Sequence, residues 1–404
     1  MELAELVALR PVTGAGLLVA LTERCPLSCA HCSTSATLRG SDQNHAELLR
    51  FVRSFRPDDR PELMLLTGGE PLLLPEAVRA LAEAARAAGT RTALLSGMFF
   101  AREGRIPDRI RRAIGAVDHF SASIDAFHER EVARADVLRV LRTVLDSGIP
   151  VSLHVTGAGP DDPYLAELTR EVRLAFDDAV PMLVNEVRAV GRAAAWAGAR
   201  NASPARRTEA DTDADGRDDD GRDSGRDSGS GSGSGSNDGG RAGTDGRPLP
   251  CAMAAWPVVA ADGTVLACCN QETVDRRPAP AHLRLGHLGA DDWPTVHRRA
   301  LESPALRMVR AVGPAHLYAR FGDLAACTGY CEGCRALGDH PAVLAGARRT
   351  GAGPVGELLD LQAARSQRAA GPAALVRRFG SAPYADLVEL TPPAATGQAE
   401  RGPR

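Results

Sequence analysis

Three thiols stand close together in Cys25-Pro26-Leu27-Ser28-Cys29-Ala30-His31-Cys32, with the spacing C-x3-C-x2-C. A loop that short can wrap one face of an iron–sulfur cube, placing a thiolate on three irons and leaving the fourth open. The same spacing also suits a zinc knuckle in which His31 supplies a fourth ligand. A second candidate follows at 62–71, where Glu-Leu-Met-Leu-Leu-Thr runs into Gly68-Gly69-Glu70-Pro71. A bare Gly-Gly is a turn, but beside a carboxylate and downstream of three cysteines it lets backbone carbonyls approach a ligand closely. The six remaining cysteines, Cys251, Cys268, Cys269, Cys327, Cys331 and Cys334, lie beyond a long polar stretch.

The elements that must position these groups are legible as periodicity. From residue 15 to about 190, apolar runs alternate with amphipathic stretches, the pattern of βα units on a parallel sheet. Strands are expected at Gly16–Thr22, 62–67, Arg91–Gly97, Asp118–Asp125, 151–156 and 181–187. Ligand sites on such sheets lie at the C-terminal strand ends, where the cysteine loop and the Gly-Gly turn fall. Pro75 and Gly89 bracket a helix whose buried face is Val78, Leu81, Ala82 and Ala85. The fold expected is α/β, a partial (β/α)6 TIM-like barrel over 1–200 with an open side, followed by a small C-terminal α+β domain over 250–345. Residues 201–249 carry Asp, Gly, Arg and Ser repeats with almost no apolar surface and read as a disordered insert. Asp262-Gly263 marks a hairpin between Cys251 and Cys268. A helical stretch is expected near 291–310. The remainder, 346–404, is a helical extension near 354–378 and a tail.

Composition narrows the classes. The chain has 404 residues, 44% of them apolar, enough for two modest domains or a barrel with additions. A formal net charge of −3 gives no reason to invoke nucleic acid or an anionic membrane. The acidic start Met1-Glu2-Leu3-Ala4-Glu5 is neither a signal peptide nor a membrane span, so the nine cysteines are expected as metal ligands in a reducing cytoplasm. All 48 basic residues are Arg, which excludes a lysine Schiff base and a lysine-dependent phosphate loop.

The cysteine spacing and the Gly-Gly-Glu-Pro turn together resemble the signature of the radical S-adenosylmethionine (SAM) superfamily. The resemblance implies a [4Fe–4S] cluster on Cys25, Cys29 and Cys32 whose open iron binds the amino nitrogen and carboxylate of SAM. Reductive cleavage then gives a 5′-deoxyadenosyl radical that abstracts a substrate hydrogen. It implies that Gly68, Gly69, Glu70 and Pro71 hold the SAM amino group, and that Ser123 and Asp125 reach its ribose or carboxylate. Helix capping is the other reading of those two. His31 takes the place where relatives carry an aromatic on adenine. Gly191-Arg192-Ala193 resembles a stretch common in relatives, with Arg192 as a SAM contact; a plain turn with a surface arginine is the alternative. His119, His128 and His154 fall near strand ends and could line the substrate cavity.

The second cysteine group resembles the C-terminal twitch extension, the short form of SPASM. It implies one auxiliary [4Fe–4S] cluster on Cys251, Cys268, Cys331 and Cys334, with Cys269 and Cys327 as spares and Cys327 as a possible substitute for Cys331. A structural zinc site of four cysteines suits the same pairs. The substrate expected is a ribosomally made peptide or a natural-product intermediate that is oxidised, crosslinked or epimerised. The alternative is a small molecule such as a sugar or cyclitol, and a non-enzymatic iron–sulfur or zinc protein is more remote. A reducing donor such as flavodoxin or ferredoxin is implied. Only about 15 residues precede the first strand, without the winged-helix leader-binding segment that peptide modifiers often carry there; this counts against a peptide substrate without removing it, because a separate protein can bind the leader. The sequence names no general base or hydrogen donor.

Overall fold

Six short apolar runs form parallel strands in the computed structural model, which describes residues 1–201 and 245–391. They are β1 (Gly16–Ala20), β2 (Leu63–Thr67), β3 (Arg91–Ser96), β4 (His119–Ile124), β5 (Val151–Gly157) and β6 (Met182–Glu186), each followed by a helix. Neighbours in sequence are neighbours in the sheet, from β1–β2 through β5–β6. This is the expected partial (β/α)6 barrel.

Burial alternates along each strand with period two. Val19, Leu66, Leu94, Ala122, Val155 and Val184 are fully buried beneath the helices. Their inward neighbours Leu18, Ala20, Leu65, Thr67, Leu95, Ser123, His154, Thr156 and Asn185 are only partly buried. The inner face therefore encloses a hollow whose β1–β3 side is largely aliphatic and whose β4–β6 side is polar. Its floor is an apolar cluster of Leu9, Ala15, Leu63, Ala93, Ala255 and Trp256. Trp256 donates its indole N–H to Leu9 O at 3.0 Å and lies against Gly16, where a Cβ would meet the ring at 2.1 Å.

Beyond residue 245 the sheet continues. β7 (Val258–Val259) pairs parallel with β1, and β8 (Thr264–Leu266) and β9 (Arg284–His287) extend it antiparallel, making nine strands among the described residues. The expected hairpin forms, with Gly263 at φ +83 in its turn, and it is fused to the barrel through β1. The helical stretch near 291–310 is two helices, Trp293–Glu302 and Pro304–Val312. Pro304 has no N–H to continue the first, and Ser303 caps the second. The stretch near 354–378 likewise divides into Gly353–Ala369 and Pro372–Phe379 at Gly371, whose φ is +85.

The edge of β6 meets the C-terminal extension. Ser381 N–H donates to Val184 O at 2.9 Å, and Arg188 to Phe379 O at 2.8 Å. The segment 372–389 buries Ala373, Leu375, Val376, Ala385 and Val388 against Leu3, Val7 and Ala252. Burying side chains of that size is worth about 1.5–3 kcal/mol for each large one, enough to hold the extension in place. Most of the insert expected at 201–249, residues 202–244, lies outside the described residues. No helix among the described residues is long and apolar enough to cross a membrane.

Candidate functional site

The loop after β1 and the turn after β2 are stitched together by backbone. Gly69 N–H donates to Thr22 O at 2.6 Å and Glu70 N–H to Arg24 O at 2.7 Å, extending the β1–β2 ladder into the run that leads to Cys25. The two glycines are required for this approach. A Cβ on Gly68, at φ +130, would lie 2.4 Å from Thr22 O, and one on Gly69 would lie 2.3 Å from Arg24 O. Close packing on the cysteine loop is thus a reason for Gly-Gly that sequence reasoning, which looked only toward a ligand, did not supply.

Glu70 is fully buried. It caps the short turn Pro71–Leu73 by accepting from Leu72 N–H at 3.0 Å, and it accepts from Ser96 Oγ at 3.0 Å and from Gly97 N–H at 2.8 Å. Burial pushes its carboxyl up to about 7 against those hydrogen bonds. Three donors on a group with about four lone-pair directions leave room for one more, such as an ammonium. Ser96 and Gly97 at the end of β3 were not foreseen.

Cys25, Cys29 and Cys32 line this loop, Cys29 buried and the others partly so. Burial raises the Cys25 thiol to about 12, and Glu70, Cys29 and Cys32 add to the rise, which places the three sulfurs within electrostatic reach of one another. Among the described residues, His31, Asp125 and His128 form a group whose potential metal-ligating atoms all lie within 4.8 Å of one another.

His31 faces the end of β4. Its Nε2 lies 3.1 Å from Asp125 Oδ2, and its ring stacks on Phe127 at 4.7 Å. Asp125 caps the turn after β4 by accepting from Phe127 N–H and His128 N–H through Oδ1, and its Oδ2 also meets His128 Nδ1 at 2.8 Å. Oδ1 thus caps the turn, and Oδ2 is shared by the two imidazoles. Burial alone would raise Asp125, but the two imidazoles outweigh it and hold the carboxyl well below the usual range. The same pairing, with Cys29, overcomes burial and lifts His128 to about 10. Glu131, on the same loop, accepts from Ser28 N–H.

Ser123 is partly buried on the lumen wall, in register with His154 of β5. Burial, with His119 nearby, lowers His154 to about 4, so it is neutral at physiological pH. His119 sits deep at the start of β4, bonded to Met1 O at 2.9 Å and Ser152 Oγ at 2.8 Å. Arg192 points into the cysteine loop and contacts its carbonyls.

The auxiliary cysteines converge from distant positions. Burial raises Cys334 well above the ordinary thiol value, and Cys268, Cys251 and Cys331 add to it. Burial lifts Cys331 to about 11, with Cys251 the next contributor. Cys327 is raised by burial with Glu332 as its charged neighbour, and its sulfur packs under Gly333, where a Cβ would be 2.5 Å away. Cys269 meets Arg10, which also stacks on Trp256 at 4.7 Å. Arg10 carried no sequence signal.

Residues 19–172 match the radical SAM superfamily. A "PqqA peptide cyclase" from Granulibacter bethesdensis is 27% identical over 153 residues, which cover 34% of this chain and 38% of that protein. Among solved structures, Streptococcus suis SuiB bound to S-adenosylmethionine overlaps with a TM-score of 0.45 at 11% identity, over 70% of this chain and 66% of SuiB. Native anSMEcpe with bound AdoMet and Cp18Cys peptide overlaps at 0.42 and 12% identity, over 82% and 98%.

Proposed function

We propose, from the premise that residues 19–172 make this chain a member of the radical SAM superfamily, that it reductively cleaves SAM and abstracts a hydrogen atom from a ribosomally made peptide. The observation that carries this is the stitching of Gly69 and Glu70 onto the backbone that leads into the three-cysteine loop. It sets a carboxylate with a spare lone pair beside three thiols, at the C-terminal ends of parallel strands.

Cys25, Cys29 and Cys32 would hold a [4Fe–4S] cluster, which when bound supplies the electron that breaks the sulfonium. Gly68, Gly69, Glu70 and Pro71 would receive the SAM amino group, and Ser123 stands on the wall where a ribose hydroxyl would lie. His31, held by Asp125 and Phe127, would stack on the adenine. The hollow between the aliphatic β1–β3 wall and the polar β4–β6 wall suits an amino-acid side chain with its amide. The similarity to a peptide cyclase supports a peptide over a sugar. Cys251, Cys268, Cys331 and Cys334 would hold an auxiliary [4Fe–4S] cluster that takes an electron in a net oxidation. A flavodoxin- or ferredoxin-type donor would complete the system.

Anaerobic reconstitution tests the reading. The full chain should bind about eight irons and form 5′-deoxyadenosine from SAM, and replacing Cys25, Cys29 and Cys32 by Ala should leave about four and stop cleavage. Zinc at residues 25–32 in protein purified without oxygen overturns it. Co-expression with short open reading frames beside the gene, followed by mass spectrometry, tests the peptide.

A further inference from the structure

Carbonyls on both sides of the second and third cysteines are taken up from one element. Arg192 Nε donates to Cys29 O at 2.9 Å and its Nη1 to Ala36 O at 2.6 Å. The Arg192 backbone N–H donates to Cys32 O at 3.0 Å, and Trp196 Nε1 to Ala30 O at 3.0 Å. Gly191, at φ +55, approaches so closely that a Cβ would stand 2.3 Å from Ser33 O and 2.4 Å from Cys32 O. Trp196 also lies 5.5 Å from Phe127, which carries His31 on its other side.

We propose that residues 191–196 are a clamp that fixes the sulfur positions of Cys29 and Cys32, with Arg192 as its positioning residue. The guanidinium suits this because its donors form a rigid planar fork that spans two carbonyls at once, which a lysine ammonium does not. Residues 25–36 form no helix or strand, and their own backbone supplies little support: Cys32 N–H to Cys29 O at 3.2 Å and Ser35 N–H to Cys32 O at 3.5 Å. A loop so sparsely bonded opens easily unless held from outside. The clamp's part in cluster binding rests on the proposed function above; its part in holding the loop does not.

The test compares the full chain with Arg192→Ala, Arg192→Lys and Trp196→Phe. Hydrogen–deuterium exchange on cluster-free protein should quicken about tenfold across residues 29–36 in Arg192→Ala, with the barrel strands unchanged. After anaerobic reconstitution, the electron paramagnetic signal that responds to added SAM should fall at least about threefold, and Arg192→Lys should restore less than half of it. Unchanged exchange and an unchanged SAM-responsive signal in Arg192→Ala overturn the proposal, as does full rescue by lysine, which would reduce the role to charge. If Arg192→Ala does not accumulate folded, Trp196→Phe carries the test: it keeps the ring on Phe127, loses the bond to Ala30 O, and should speed exchange about threefold, no change being fatal. A wild-type chain that binds no cluster at residues 25–32 defeats the proposed function and leaves the exchange result to judge the clamp.

Discussion

His31 Nε2 and Asp125 Oδ2 are 3.1 Å apart, joining the middle of the cysteine loop to the end of β4. The Asp125 side chain is 1% exposed and accepts from two imidazoles and two backbone amides. Asp125→Ala should therefore strand several buried donors at once and destabilise the cluster-free protein by about 3–5 kcal/mol. Denaturant titration measures this, and Asp125→Asn, which keeps the capping oxygen, should cost less. A loss below about 1 kcal/mol for Asp125→Ala would show that water replaces the carboxylate.

Gly69→Ala places a methyl group 2.3 Å from a backbone oxygen that has no side-chain freedom to yield. The turn must lift from the cysteine loop, costing about 1–3 kcal/mol. SAM affinity of the reconstituted enzyme, followed by equilibrium binding, should weaken at least about tenfold, since a shift of 1.4 kcal/mol is one decade.

The auxiliary site separates two cysteines that are close in sequence. Cys251 adds to the rise of the Cys331 thiol, and Cys268, Cys251 and Cys331 to that of Cys334, whereas Cys327 is raised by burial with Glu332 as its charged neighbour. Cys331→Ala should lower iron content from about eight to about four per chain, and Cys327→Ala should leave it unchanged. Equal losses in both variants would refute the assignment.

His119 supplies a pH dependence of known sign. Burial, opposed by its bond to Met1 O, lowers it to about 4. The unfolded chain takes up a proton near pH 6.5, while the folded one resists until about 4. Its contribution to stability is therefore present above about pH 6.5 and is lost as pH falls toward 4, by roughly 3 kcal/mol. His119→Gln should flatten the acid limb of stability against pH in the cluster-free protein, and an unaltered limb would assign it to other groups.

What the sequence determined by itself was local and periodic. Apolar runs alternating with amphipathic stretches placed all six barrel strands within a few residues of their observed bounds, because a parallel strand covered by helices is buried along its length. Short-range spacing picked out Cys25, Cys29 and Cys32 and the Gly68–Pro71 turn, since a loop of that length brings its own members together. Tertiary structure alone decided the long-range partners. Arg192 is more than 150 positions from the carbonyls that it bonds, Ser96 and Gly97 complete Glu70 from another strand, and Cys251, Cys268, Cys331 and Cys334 meet across helices. The closing of β6 by residues 372–389 belongs with these. An amphipathic helix announces that it will bury a face, but which surface receives it depends on where the chain returns, and no periodicity encodes that.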